Sequence, residues 1–553
     1  MRSVLALQPT TNYALEPQSG RSDLMEAFAR VLMGLSHPVQ LIGQARTVET
    51  HPTWPQPPQI ERRWLAVLED DDSGWRTRTL TRTLEGVGLR CAPATAEIEL
   101  PTLIRPDYVV ASDDYCASLV LRRWPREVPP GWLGNALASD LPVHVGIHIE
   151  AQDSAWIARK LKLQQKRHQD SNDAGDMLTT RDSRRVREDL IAHKDRPVKV
   201  AIAFTVRAPS REMLLSRVET LRHEIGLALG DVRPATWEHD RGLEATSPTG
   251  VCRLLGAWHT LDCNSVASTW LFQPATVYHK NGAPLGTTHT GSMEVRLDPF
   301  DPSLESFGGI VLAKVGAGKS YFLKLLADRL EGVEVLIVEQ RNPAEYTGVA
   351  GAKSFNLADV PYGERAERLR GYVSGLWDAA KSDPRPRLLI LDELWSLLRD
   401  PALAALIEEI ARIGRHHYLS LWIATQQVQE LLTSDQGLAV LNNSAIKVYL
   451  KQNGPDGDLL ADKVRLGDEA RRFLRSASRG QALLDVSGMV VPVDIQATKA
   501  EHQLITTDPR EVRHDVGNST SKDGPDRGGT AGLWLGSGSS RRGGSVAVAA
   551  ADQ

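Results

Sequence analysis

Eight consecutive residues, Ala313-Lys-Val-Gly-Ala-Gly-Lys-Ser320, have the composition of a phosphate cradle. They follow the pattern G-x-x-x-x-G-K-[ST], with alanine at the first position. Gly316 and Gly318 let the backbone curl so that successive N–H groups face one anion. Lys319 would bring a point charge to the β- and γ-phosphates of a nucleotide, and the Ser320 hydroxyl is a natural ligand for Mg²⁺. Expected contacts to ATP therefore run through Ala313, Lys314, Val315, Gly316, Ala317, Gly318, Lys319, Ser320 and Tyr321. A helix over Tyr321–Leu330, with Phe322, Leu323, Leu326 and Leu330 on one side, would turn its positive end toward the phosphates. The apolar run Gly309–Leu312 reads as the strand that feeds the loop, and a methyl group at 313 can fit where that strand ends.

Three further groups could complete the chemistry. Arg387-Leu-Leu-Ile-Leu-Asp-Glu393 is an apolar strand ending in two acids, 73 residues beyond Lys319. Asp392 can hold Mg²⁺ through water, and Glu393 can orient and activate an attacking water. Tyr418–Thr425 reads as a buried strand whose edge carries Gln426, an amide able to sense a γ-phosphate. Between these strands, Asp400-Pro401 starts a helix with Leu403, Leu406, Ile407 and Ile410 at helical spacing, and Gly414 is expected to close it in a left-handed turn. Arg412 and Arg415 lie at its end. They either complement the helix C-terminus or supply an arginine in trans to a neighbouring subunit's γ-phosphate, with Arg415 preferred for the second role because it follows the break. His416 and His417 have no third metal ligand nearby and read as surface residues.

These groups need a scaffold, and the chain is long enough for one. It has 553 residues, 41% apolar and 24% charged, with a formal net charge of -4. That is ordinary globular composition and excludes wholesale electrostatic binding of nucleic acid or anionic membrane. Four cysteines without a CxxC pair make a disulfide framework or zinc ribbon improbable and point to a reducing, cytoplasmic setting. No apolar run approaches the ~20 residues of a membrane span, and no secretory signal opens the sequence.

From about 305 to 507, short apolar runs (Gly309–Ala313, Val333–Val338, Leu388–Leu391, Leu419–Ala424, Ile446–Leu450) alternate with helical segments, which implies a mostly parallel sheet covered by helices. Residues 1–295 read as an α+β domain. Leu141–Ile149 and Val198–Val206 show strand periodicity, and Asp153–Lys194 lies between them as one or two exposed helices. Within it Arg159, Lys160, Lys162, Lys166 and Arg167 place five cations in nine residues. Because Asp170, Asp173 and Asp176 follow at once, this run reads as a solvated helix face rather than a contact to nucleic acid or lipid. The stretch 508–553 is rich in Gly and Ser, with 15 such residues among Val516–Gln553, and is expected to be a disordered tail.

The motifs GAGKSYFLKLL, LLILDELWSLL, ARIGRHHYLSLWIATQQ, LNNSAIKVYLKQ and AEHQLITTDP occur in the order seen in one family. The sequence resembles the conjugation ATPases of type IV secretion systems, the VirB-type and TraC/TraE-type motors of the RecA-like P-loop group. Specific motifs span about 305–508; Leu121–Leu133 and Ser268–Pro274 resemble the family's less characteristic N-terminal half. The resemblance implies a C-terminal RecA-like domain over 296–507 that binds ATP through Gly316–Ser320. Metal and water would be handled by Asp392 and Glu393, with a sensor at Gln426 and a trans-acting arginine among Arg412 and Arg415. It also implies a homo-oligomer, with a six-membered ring expected, and secretion-apparatus partners that hold it at the inner face of a membrane; DNA is a candidate partner. A DNA-pumping translocase and a nucleotide-binding scaffold without turnover remain as alternatives. Only 47 residues (Arg341–Arg387) separate the second strand from the Asp-Glu strand, so a reduced lid is expected. Glu345-Tyr346 is similar to a family Glu-Tyr pair, whereas Glu339 and Gln340 stand where Asp-Pro would be expected.

Overall fold

The protein was analysed as a computed structural model. It describes residues 2–506 apart from 49–58, 96, 126–129, 138–140, 169–183, 185–186, 193, 228–229, 274, 343, 347–348 and 350. The expected tail, 508–553, lies outside the described residues.

Two sheets organise the chain. The first has eleven strands, from Arg2–Pro9 to Trp258–Asp262, and every pairing in it is antiparallel. Its centre is formed by Val39–Val48, Val143–Ala151 and Pro197–Ala208, which extend the two strands expected near 141–149 and 198–206. Helices Gln18–Met33 and Arg211–Leu227 contribute Phe28, Leu32, Leu221 and Ile225 to its core, so the α+β reading describes this part. Within the segment 268–274, the described residues 268–273 have a packing role here. Trp270 stands edge-on to Phe28 (5.2 Å between centroids) and to Phe272 (4.9 Å), and Phe272 meets Trp64. Burying each such ring contributes about 1.5–3 kcal/mol.

The second sheet has ten strands. Six of them, Ile446–Leu450, Gly309–Leu312, Leu419–Thr425, Arg387–Asp392, Glu334–Glu339 and Lys353–Asn356, are parallel and lie side by side in that order. The other four, Glu294–Leu297, Ala283–Thr288, Met489–Ile495 and Gln481–Val486, continue it antiparallel. The expectation of a mostly parallel sheet is therefore corrected to a mixed one. The cause lies in the connections: Ser487 and Gly488 both have positive φ (49° and 91°), as a two-residue hairpin turn requires, and no crossover helix intervenes. A domain limit at 295 falls within this sheet, because Ala283–Thr288 pairs with Met489–Ile495 across the sequence.

Two local expectations also change. The helix after the loop runs Lys319–Arg329 and is buried nearly all round, including Lys324 and Leu325, rather than amphipathic. Gly414 is right-handed (φ −54°), and Tyr418 takes the left-handed position (φ 51°) that reverses the chain into its strand. Glycine is nonetheless required at 414, since a Cβ there would lie 2.7 Å from the Leu419 carbonyl.

Within the first sheet, His148 is buried, its Nε2 donating to the Ala245 carbonyl at 2.8 Å, and burial pushes its pKa down from 6.5 to about 4. The unfolded chain thus binds a proton between these values that the folded chain refuses, so stability falls as pH drops from ~6.5 to ~4. His144, buried near Arg207 and Arg46, has its pKa lowered in the same direction. In His148→Gln protein, urea midpoints measured across this range should depend less steeply on pH; an unchanged slope would show that His148 is protonated in the fold.

Candidate functional site

The site forms where the parallel strands end. Gly309–Leu312 lies between Leu419–Thr425 and Ile446–Leu450, with Leu312 level with Thr425 and Tyr449. Glycine at 309 makes room for Trp422, whose ring a Cβ would meet at 2.2 Å. Beyond the strand, the loop start is pinned by Ala313 N–H to the Thr425 carbonyl (3.3 Å) and Lys314 N–H to the Lys451 carbonyl (3.0 Å). Buried Gln452 donates a hydrogen bond from Nε2 to the Leu312 carbonyl at 2.9 Å. Ala313 is fully buried, so its methyl group fits the core. Gly316 and Gly318 adopt φ of 74° and 101°, and Gly318 caps the helix that starts at Lys319. Such a run of left-handed residues turns backbone N–H groups toward one anion.

The register places Asp392 opposite Ala424 and therefore beside the loop. Lys319, 4% exposed, pairs with the Asp392 Oδ1 and lies 2.9 Å from Glu393 Oε1. The remaining Asp392 oxygen accepts from the Tyr346 hydroxyl at 2.9 Å. Burial first, and then the Asp392 carboxylate, drives the Tyr346 pKa well above the ordinary phenol range, against a smaller opposing effect of Ser320, so this group remains a donor. Asp392 and Ser320, the two residues expected at a metal, thus both act on the Tyr346 hydroxyl, Asp392 by a direct hydrogen bond.

Glu393 has the left-handed backbone (φ 56°), a conformation that costs a non-glycine residue of order 1 kcal/mol or more. Four hydrogen bonds hold it there. Its N–H donates to the Ala424 carbonyl (2.9 Å), and its carbonyl accepts from Gln340 Nε2 (2.6 Å). Its Oε2 accepts from the Gln426 N–H (3.2 Å) and the Thr425 hydroxyl (3.4 Å). The backbone of Gln426 is therefore beside Glu393, and the residue is half-buried at the strand end.

Asp392 and Ser320 are hard oxygen donors with a buried Lys319 alongside. That set fits Mg²⁺ carried on nucleotide phosphates, which needs only one or two protein ligands. Among the described residues no group of three or more His, Cys, Asp or Glu could cage an ion by itself.

Arg415 and Arg412 lie at the other end of the sheet, before Leu419, some ~20 Å along the strand from Thr425. Arg415 donates to the carbonyls of Leu304, Glu305 (3.3 Å) and Pro302 (3.0 Å) and covers the Phe307 ring. Its guanidinium is thus occupied within the chain, and not free as its place after the break suggests. Arg412 is exposed and, among the described residues, has no ion pair. Asp400 caps its helix as expected, accepting from Leu403 N–H at 2.8 Å.

Residues to which the sequence assigns no role in the site also shape it. Tyr346 and Gln340 come from the connection after the second strand, and Glu339, 1% exposed, accepts from Glu345 N–H (2.7 Å) and the Ser354 hydroxyl (3.1 Å) to fold that connection. Glu339 and Gln340 thus organise the loop in place of the expected Asp-Pro. Lys324 is buried under the Tyr346 ring, and burial lowers its pKa.

A phosphate loop at the C-terminal edge of parallel strands, facing an Asp-Glu pair, is the arrangement of P-loop nucleotide-binding domains. No protein-family model matches the chain, and no curated protein matches it. Among solved structures it is similar to VirB4 of Thermoanaerobacter pseudethanolicus, with 16% identity and a TM-score of 0.36 over 41% of this chain and 100% of that one. It is also similar to the cytoplasmic domain of the type VII secretion ATPase EccC of Thermomonospora curvata, at 19% identity and a TM-score of 0.29, over 38% of this chain and 28% of that one. A third structure, EccC ATPases 2 and 3 from the same organism in complex with a signal sequence peptide, aligns at 13% identity and a TM-score of 0.31, covering 61% and 75%. The chain thus spans about a quarter of the EccC cytoplasmic domain and the whole of the VirB4 structure. At such identities and scores the functional reading rests on the site's own residues.

Tyr346→Phe removes the hydroxyl that donates to Asp392. It is expected to weaken the Mg²⁺ dependence of ATP binding ~10-fold or more, the usual cost of losing a partner of a metal ligand. Titrating Mg²⁺ against a fluorescent ATP analogue checks this; an unchanged midpoint would remove Tyr346 from the site.

Proposed function

We propose that the protein is an ATP-hydrolysing motor of a conjugative, type IV secretion apparatus, powering its assembly or the transfer of its substrate. The observation that carries the ATPase reading is the meeting of Lys319, Asp392 and a strained Glu393 at one strand edge. The secretion reading draws on the ordered motifs from 316 to 509.

Backbone N–H groups of Gly316–Ser320 would hold the β-phosphate, and Lys319 would turn from the carboxylates to the β- and γ-phosphates. Asp392 and Ser320 would hold Mg²⁺, which when bound neutralises charge on the transferring phosphoryl group. Glu393 is then released from its lysine and, still oriented by Gln426 N–H and the backbone of Ala424, can accept a proton from the attacking water. The Gln426 amide would sense the γ-phosphate. Arg412, on an exposed helix end, suits a trans contact in a ring of identical subunits, where each interface joins unlike surfaces. The protein would act in the cytoplasm, peripheral to the inner face of the cell membrane through secretion-apparatus partners, with DNA as a candidate cargo. No helix among the described residues is long and apolar enough to cross a membrane.

Glu393→Gln should bind ATP yet hydrolyse it ~10²-fold more slowly or worse, whereas Lys319→Ala should lose productive ATP binding. Steady-state turnover and equilibrium binding test both, and full turnover in either variant would overturn the ATPase assignment.

The two arginines separate by experiment. Arg415→Ala leaves three carbonyls without their donor and should lower stability by about 1–3 kcal/mol, with turnover per folded molecule retained. Arg412→Ala should keep its melting temperature and ATP affinity but hydrolyse ~10³-fold more slowly, and regain activity when mixed with Glu393→Gln protein. Full activity of Arg412→Ala would end the trans-arginine reading at this helix.

A further inference from the structure

The helix Ser154–His168 carries no acid along its length, and its surface combines two kinds of side chain that water alone does not explain. Trp156 is 55% exposed and Leu163 is 62% exposed. Together with Arg159 and Lys160 they occupy positions i, i+3, i+4 and i+7, which is one face of a helix. Both cations are exposed, as is Lys162 on the flank, and the Lys160 ammonium stands 5.3 Å from the Trp156 ring centroid. Ile157, on a different face, is 4% exposed and anchors the helix to the body of the protein. At its start, Trp156 N–H donates to Asp153 Oδ1 at 2.7 Å, which fixes the first turn.

We propose that this face docks on the surface of an anionic lipid bilayer. Basic side chains would be drawn to the headgroups, while Trp156 and Leu163 would enter the boundary between headgroups and acyl chains, the depth that amphipathic surface helices occupy. The apolar pair favours a bilayer over nucleic acid. Phosphodiesters reward the cations alone, and burial of Leu163 has no counterpart on a phosphate backbone. The contact gives the chain a membrane attachment of its own and is independent of the nucleotide site.

The test uses the full chain sedimented with vesicles of phosphatidylcholine, with or without phosphatidylglycerol. Binding is expected only to vesicles containing phosphatidylglycerol, and added salt should weaken it. Arg159→Glu/Lys160→Glu should reduce partitioning by ~10²-fold or more, since each basic residue near the surface gives about fivefold and reversal adds repulsion. Trp156→Ala/Leu163→Ala leaves the charge unchanged and should reduce it ~10-fold or more. Circular dichroism and ATP hydrolysis in the absence of vesicles should be unaltered in both variants. The proposal is overturned if phosphatidylglycerol vesicles do not bind the protein or if neither variant alters binding. It is also overturned if the apolar variant binds vesicles normally while the charge variant loses affinity for duplex DNA, which would make the helix a nucleic-acid contact.

Discussion

A lysine buried between two carboxylates is the constraint on which the site depends. Removing three charges from water carries a desolvation cost that only close, well-oriented partners offset. The fold supplies them by register. Asp392 can reach Lys319 only because Arg387–Asp392 and Gly309–Leu312 both flank Leu419–Thr425 in parallel, with Asp392 level with Ala424 and Leu312 level with Thr425. Slipping any of these strands by one residue would send its alternate side chains to the opposite face and leave charge buried without a partner. The same register also delivers the Ala424 carbonyl and the Thr425 and Gln426 donors to Glu393.

The parts of the site that are contiguous in sequence were readable there. The loop from 313 to 320 carries its own geometry in two glycines, and the Asp-Glu pair announces itself by ending an apolar run. Gln426 could be found for the same reason. Tyr346 and Gln340 were not readable as site residues, because their side chains act across strands: Tyr346 is 46 residues from Asp392 and Gln340 is 53 from Glu393. The left-handed backbone at Glu393 is also invisible locally, since it is imposed by neighbours distant in sequence rather than by a glycine.

Fold class shows the same division. Alternation of apolar runs and helices indicates five of the six parallel strands and misses the edge strand Lys353–Asn356, which is too polar to read as an apolar run. It is silent on the hairpin of Ala283–Thr288 and Glu294–Leu297, whose partner strand is some two hundred residues later. Arg415 illustrates the limit most clearly. Its place after Gly414 suggested a side chain free to reach outward, yet the carbonyls it serves belong to Pro302–Glu305, more than a hundred residues earlier.

That last contact bears on mechanics. Gly309–Leu312 is only four residues long, and both its ends are clamped. Arg415 and the Ser420 hydroxyl, at 2.6 Å from the Phe307 carbonyl, hold the segment leading in, while Gln452 and the Thr425 carbonyl hold the exit. A short rod fixed at each end behaves as a strut. A displacement of the phosphate loop is then poorly absorbed by sliding of this strand and passes along it to residues 298–307, which link it to the edge strand Glu294–Leu297. The two ends of that strand are therefore mechanically joined, so a change at the phosphate loop is felt at the opposite end of the sheet.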